Sequence, residues 1–230
     1  MSEHGHVLVV DDEPQLLRAL RINLRARGFE VTTAATGAAA LEAASRRLPD
    51  VVVLDLGLPD MDGFTVLDGL RGWTAVPVIV LSARTDAADK VQALDAGADD
   101  YVTKPFGMEE FLARLRAAIR RGSASAGPPE NPVVTAGSLE VDLVGKRVLR
   151  DGRPVRLTPT EWAVLELLVR AEPNLVGQRE ILTAVWGPTY VTQTNYLRVY
   201  LAALRRKLED DPAHPRHLMT EAGMGYRFVR

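Results

Sequence analysis

Three short segments in the first half of the chain, the first two of them apolar runs, each lead into residues that can do chemistry. His6-Val7-Leu8-Val9-Val10 empties into Asp11-Asp12, Val51-Val52-Val53-Leu54 into Asp55, and Asp100 to Thr103 into Lys104-Pro105-Phe106. Runs this short and this apolar fit strands buried on both faces, as in a parallel sheet covered by helices. The carboxyl ends of such strands line the crevice where open α/β sheets bind ligands. Three carboxylates gathered there would repel one another and invite a hard, oxygen-seeking cation, Mg²⁺ above all. A lysine beside them offers a compact positive charge suited to a phosphoryl oxygen. An aspartate that merely ends a strand is the plainer reading of Asp55 alone; Asp11, Asp12 and Lys104 reverse it.

The elements that must position these side chains follow in order. A helix is expected from Pro14, which suits a first helical turn, to about Arg27, with Leu16, Leu17, Leu20 and Leu24 inward and Gly28 ending it. Then come a strand at Glu30 to Ala34, a helix at Gly37 to Arg47, the strand Asp50 to Asp55, and, after Gly63, a helix to about Arg71. A fourth strand at Val76 to Leu81 ends in Ser82-Ala83, a helix at Asp86 to Ala96 stops at Gly97, and a last helix spans Met108 to Arg121. Five strands alternating with five helices imply a doubly wound parallel α/β domain over residues 1–121. Right-handed crossovers are expected to set the ends of strands one, three and five beside one another.

With 230 residues, 47% of them hydrophobic, there is enough chain for two domains, each with its own core. The absence of cysteine excludes disulfides and thiolate metal sites. No signal-like leader and no membrane-length apolar run is evident, so a cytoplasmic protein without membrane contact is expected. Residues 1–121 hold 14 Lys+Arg against 18 Asp+Glu, and residues 122–230 hold 14 against 12. That mild basic excess is too small to imply nucleic acid by itself; position must carry the argument.

Over residues 6–121 the chain resembles the receiver domain of bacterial two-component response regulators, on Asp11-Asp12, Asp55, Ser82 and Lys104-Pro105-Phe106 in their structural slots. The resemblance implies that Asp55 accepts a phosphoryl group from a sensor histidine kinase. It also implies that Asp11, Asp12, Asp55 and the Gly57 main-chain oxygen hold Mg²⁺, and that Lys104 and the Ser82 hydroxyl contact the phosphoryl oxygens. Tyr101 would be the switch aromatic that turns inward as Ser82 moves to the phosphate. Lys90, Asp99, Asp100, Glu110, Arg114 and Arg121, charges of both signs, occur among Val91, Leu94 and Leu112. Such mixtures usually mark a solvated face. In the subfamily that the second half resembles, matching positions form a two-fold dimer.

Residues 122–132, rich in Gly, Ser and Pro, are expected to be a flexible linker, leaving residues 133–230 as a second domain. Leu139 to Leu143 and Arg147 to Arg150 alternate as short strands, and Asp151-Gly152 is a hairpin turn signal. Thr158-Pro159-Thr160-Glu161 reads as a capping box opening a helix with Val164, Leu165, Leu167 and Leu168 inward. A helix at Gln178 to Trp186 precedes another at Gln193 to Leu208. There Leu197, Leu201, Leu204 and Leu208 share one face, Thr194, Arg198 and Arg205 lie opposite, and Arg206 and Lys207 stand alongside. A basic outer face over a leucine inner face suits insertion in a major groove. Thr220 to Val229 reads as a glycine-tipped hairpin carrying Arg227. Gly223-x-Gly225 lacks the third glycine and the following helix that a dinucleotide fingerprint needs. His214 and His217, with no third ligand nearby in sequence, read as solvent-facing.

Leu157 to Glu161, Leu204 to Leu208 and Gly225-Tyr226-Arg227-Phe228 resemble the winged-helix effector domain of the OmpR/PhoB subfamily. Trp186-Gly187-Pro188, Tyr196 to Tyr200 and Asp211 to His217 resemble the branch that regulates potassium-transport genes; another regulon is the alternative. The resemblance implies a non-enzymatic transcription regulator that binds promoter double-stranded DNA as a homodimer formed on phosphorylation and engages RNA polymerase. Two other classes compete. A phosphatase with a covalent Asp55 intermediate would need an acid two residues on, where Gly57 stands; a pure protein-binding output domain would have no affinity for duplex DNA.

Overall fold

The computed structural model describes residues 5–123 and 133–230. The chain divides into two compact units, Met1–Gly122 and Ser123–Arg230.

In the first unit β1 (His6–Val10), β2 (Glu30–Ala34), β3 (Val51–Leu54), β4 (Val78–Ser82) and β5 (Asp100–Thr103) form one parallel sheet in the order β2-β1-β3-β4-β5. The intervening helices are α1 (Pro14–Arg25), α2 (Gly37–Arg46), α3 (Gly63–Trp73), α4 (Ala87–Asp95) and α5 (Met108–Ser123). Every residue of β1, β3 and β4 is buried, as runs without polar alternation require. Val7, Val9, Val53, Ile79 and Leu81 pack with Leu20 and Leu24 of α1 and Phe111, Leu112 and Leu115 of α5 in one core. The sheet order corrects one expectation: β4 lies between β3 and β5, so only β1 and β3 have adjacent ends.

Helix starts are fixed by short polar caps. Thr36 accepts from the Ala39 N–H at 3.2 Å, Asp62 from Phe64 at 3.0 Å and Asp86 from Ala88 at 3.2 Å. Several helix ends differ by a residue or two from the sequence expectation. The first stops at Arg25, the second at Arg46 and the third runs on to Trp73. Gly122 and Ser123, expected in the linker, complete α5; the rest of that expected linker, 124–132, lies outside the described residues.

In the second unit β6 (Val133–Ala136), β7 (Leu139–Asp142), β8 (Arg147–Arg150) and β9 (Arg153–Val155) form an antiparallel sheet. The β8–β9 turn has Asp151 at φ 52° and Gly152 at φ 72°, the left-handed pair of a tight hairpin. Three helices follow: α6 (Pro159–Ala171), α7 (Gln178–Trp186) and α8 (Thr194–Leu208). The capping box is complete, with the Glu161 N–H donating to Thr158 Oγ1 at 3.3 Å and the Thr158 N–H to Glu161 Oε2 at 2.7 Å. Leu165, Leu168, Ile181, Leu182, Leu197, Leu201 and Leu204 are fully buried. A three-stranded sheet ends the unit, β11 (Leu218–Glu221) and β12 (Gly225–Phe228) making the hairpin and β10 (Val176–Gly177) pairing with β12. A Cβ on Gly225 would collide with the Val176 carbonyl, so glycine is what lets β10 approach. The sequence reading missed β6 and β10, which have four and two residues, and gave no range for the three-residue β9 that its hairpin turn implies.

Candidate functional site

At the carboxyl end of the parallel sheet, ligand oxygens of Asp11, Asp12 and Asp55 lie within 4.8 Å of one another. Adjacent strands fix two of them: the Asp11 N–H donates to the Ala34 carbonyl at 3.1 Å and the Asp55 N–H to Val10 at 2.9 Å. Asp11 and Asp55 are buried and Asp12 is exposed. Lys104 reaches past the end of β4 to place Nζ 2.6 Å from Asp11 Oδ2 and 3.4 Å from Asp55 Oδ1. All four residues singled out in the sequence therefore meet.

The electrostatics follow from this packing. Burial pushes the Asp55 carboxyl above the ordinary carboxylate range; the Lys104 ammonium opposes this and the Asp11 charge adds to it. Burial also works against the Lys104 ammonium, but its hydrogen bond to Asp11 and the charges of Asp11 and Asp55 outweigh it and leave the group above the usual lysine value. Oxygen donors of high charge with one open side fit a small hard divalent cation that retains water ligands.

The loop after β3 is held from several sides. The Gly57 N–H donates to Asp55 Oδ2 at 3.2 Å, and the Gly63 N–H to the Leu56 carbonyl at 3.0 Å. A Cβ on Gly63 would stand 2.5 Å from the Asp55 carbonyl oxygen, so α3 can begin this close only on glycine. Sequence reasoning missed Asp60, whose two oxygens accept the Gly37 and Ala38 N–H groups at 2.8 and 2.9 Å and tie the loop to the start of α2. Its signal was a second acid before Asp62, three residues short of a helix it does not cap.

Ser82 is buried at the end of β4, its Oγ accepting the Arg84 N–H at 3.1 Å. Tyr101 is turned inward, 3% exposed, and its hydroxyl donates to the Arg84 carbonyl at 2.8 Å. Burial raises the phenol above its ordinary value and a hydrogen bond with Ser82 pulls it back. Serine, tyrosine and the start of the β4–α4 loop thus form one connected unit.

The charged set read as a solvated face is only partly one. Asp99 is fully buried: its Oδ2 accepts the Val78 N–H and pairs with Arg71 Nη2, both at 2.9 Å. Leu112 belongs to the core, and Leu94, Asp100 and Arg121 are buried as well. Arg114, half-buried, pairs with Asp100 at 3.2 Å and Glu110 at 2.6 Å. Lys90 is half-buried, which disfavours its charge while Asp100 supports it; Val91 and Glu110 are exposed. Alternating sign in the sequence therefore conceals two layers, a buried one closed within the unit and an exposed one.

On α8 the outward stripe is Asn195, Arg198, Ala202 and Arg206, with Thr194 half-buried at the start. Arg205 departs from the expected outward face. Its Nε and Nη2 donate to the Leu218 carbonyl at 3.0 and 2.5 Å, and Nη2 also to Thr220 Oγ1 at 2.7 Å. Burial lowers its affinity for the proton, with Tyr226 and Glu209 working the other way. Lys207 is engaged too, its Nζ lying 2.7 and 2.6 Å from the two Glu161 oxygens. On β12, Arg227 pairs with Glu221 at 2.5 Å and is half-buried. His214 is exposed beside Asp211 as expected. His217 is half-buried: one side stacks on Phe228 and its Nδ1 contacts the Val229 carbonyl at 2.9 Å, while the residue stays partly open to solvent.

Residues 7–116 match the model of the response regulator receiver domain, and residues 152–228 that of the C-terminal part of transcriptional regulatory proteins. The chain is 69% identical over 222 residues to the transcriptional regulatory protein KdpE of Mycobacterium tuberculosis (strain CDC 1551 / Oshkosh), covering 96% of this chain and 98% of that protein. It is 49% identical over 224 residues to the KDP operon transcriptional regulatory protein KdpE of Escherichia coli (strain K12), covering 97% and 99%. Among solved structures it is similar to response regulator DrrB of Thermotoga maritima, an OmpR/PhoB homolog, with 30% identity, TM-score 0.52 and coverage of 98% and 99%.

Proposed function

The chain belongs to the OmpR/PhoB-type response regulators, and from that premise we propose that it accepts a phosphoryl group on Asp55 and thereby controls promoter binding at a potassium-transport operon. It is a transcription regulator and not an enzyme. The observation that carries the reading is the meeting of Asp11, Asp12, Asp55 and Lys104 at one sheet end. Near-end-to-end identity with the KdpE proteins supports the operon.

In the transfer, a carboxylate oxygen of Asp55 attacks phosphorus in line while the bond to the donor's histidine nitrogen breaks with its electron pair staying on that nitrogen; the proton already on the ring's other nitrogen makes the products an acyl phosphate and a neutral imidazole. Asp11, Asp12, Asp55 and the Gly57 main-chain oxygen would hold Mg²⁺, which when bound supplies charge neutralisation at the phosphoryl oxygens. Lys104, which already lies between Asp11 and Asp55, would turn to one of those oxygens. Ser82, whose Oγ accepts the Arg84 N–H, would donate its hydroxyl proton to a phosphoryl oxygen, and Tyr101, bonded to both Ser82 and Arg84, responds. Readout runs through α4, β5 and α5. Val91 and Glu110 would contact a second copy, with Lys90 and Arg114 at the edge and Leu94, Asp99, Asp100, Leu112 and Arg121 supporting from beneath. This gives a homodimer on phosphorylation.

The partners are a sensor histidine kinase and duplex DNA, with RNA polymerase engaged at the promoter. On this reading Arg198, exposed on α8, reads bases, with Thr194 and Arg206 at backbone phosphates and the β11–β12 hairpin at a neighbouring groove. No helix among the described residues is long and apolar enough to cross a membrane. The test is Mg²⁺-dependent labelling by acetyl phosphate: Asp55→Asn should abolish it, and labelling that persisted in the variant would move the acceptor elsewhere.

A further inference from the structure

The carboxyl end of α8 grips Leu218 of β11 from both sides. The Glu209 carboxylate, itself buried, accepts the N–H groups of Arg216 at 2.9 Å, His217 at 2.9 Å and Leu218 at 2.6 Å. One turn earlier Arg205 takes the Leu218 carbonyl with two donors and the Thr220 hydroxyl with a third contact. Both backbone groups of Leu218 are therefore bound by side chains of one helix segment. Leu218 faces Phe228 and Thr220 faces Tyr226 across the hairpin, so whatever fixes β11 fixes β12 as well. The hairpin turn, with Ala222, Gly223 and Met224 exposed, projects from this anchored base.

We propose that Arg205 is a positioning residue of the DNA reader: it sets the angle between α8 and the β11–β12 hairpin, so that both engage one duplex in register. The inference rests on the DNA-binding reading above. A planar guanidinium presents its donors in a fixed fork, which suits a carbonyl and a hydroxyl held on one strand; an ammonium on a flexible stem is a point charge without that geometry. Lysine therefore separates two roles. A residue that only neutralises a phosphate tolerates Arg205→Lys, whereas one that holds the hairpin by its fork does not.

The experiment uses the full chain, phosphorylated with acetyl phosphate and Mg²⁺, on a duplex carrying its footprinted operator. Arg205→Lys and Arg205→Gln should both weaken binding about tenfold, the scale of a lost charge-assisted hydrogen bond. Both should erase hydroxyl-radical protection on the hairpin side while protection on the α8 side stays, and amide exchange over residues 218–221 should quicken in the free protein. Thr220→Val, which removes a single acceptor, should shift the same readouts less and covers the case in which the arginine variants fail to fold. Native affinity and native hairpin-side protection in Arg205→Lys would overturn the proposal, as would an unchanged hairpin footprint in a folded Thr220→Val. If the phosphorylated native chain protects no duplex, the DNA-binding reading falls and this inference falls with it.

Discussion

The crevice at the end of the parallel sheet and the outer surface of α8 both carry charges of obvious chemical potential, but a linear sequence reports them with unequal fidelity. In the crevice, topology does the sorting. Strand ends converge whatever the rotation of each strand, so an acid or lysine at the right end of a buried run reaches the same crevice as its companions. On a helix, one position is a rotation of 100°. Arg205 and Arg206 are neighbours in sequence, yet the first is bonded to β11 and the second lies on the exposed stripe with Arg198. The α4–β5–α5 surface behaves like the helix, hiding Asp99 while exposing Val91.

The strongest challenge to this contrast is Asp99→Ala. If Asp99 is an internal tie, removing it leaves Arg71 and the Val78 N–H without their carboxylate and should cost about 3–5 kcal/mol of receiver stability. Denaturant unfolding measures this, and a loss near zero would return Asp99 to the surface class. Lys104→Ala is next. Removing a preorganised charge from the crevice should slow phosphorylation by acetyl phosphate about 10²–10³-fold, measured by time-resolved labelling with the fold intact by circular dichroism. A native rate would mean that the pocket does not act as a unit.

Two substitutions sharpen the convex side. Arg198→Ala should cost about 1–3 kcal/mol of operator binding and narrow the gap between specific and scrambled duplexes. Lys207→Ala, by contrast, should leave that gap intact and show itself in thermal stability, because its partner is Glu161. Equal specificity loss in both would erase the distinction between the exposed stripe and the ties behind it. The smallest effect belongs to Val91→Asp, which should change monomer stability by no more than about 0.5 kcal/mol while lowering the dimer fraction after phosphorylation. Leu94→Asp cannot make this test cleanly, since Leu94 is buried and the charge would disturb the core.

What could be read in the sequence follows the same division. The receiver strands were legible because β1, β3 and β4 are all-apolar runs; the capping box at Thr158 and the Asp151-Gly152 turn were legible because each demands particular residues. The sheet order was not, because β4 carries no charged marker and its place between β3 and β5 leaves no local trace. Strands β9 and β10 are too short to develop a period of two, and β10 exists only because Gly225 leaves it room. The inward turn of Arg205 was hidden because its acceptors, Leu218 and Thr220, lie on a strand more than ten residues away.

The most direct measurement is operator binding by fluorescence anisotropy, with and without acetyl phosphate and Mg²⁺, for the native chain and for Asp55→Asn. The account predicts that the phosphodonor raises the affinity of the native chain severalfold and leaves Asp55→Asn at its starting value. An equal gain in Asp55→Asn, or no gain in the native chain despite stoichiometric labelling, would contradict it.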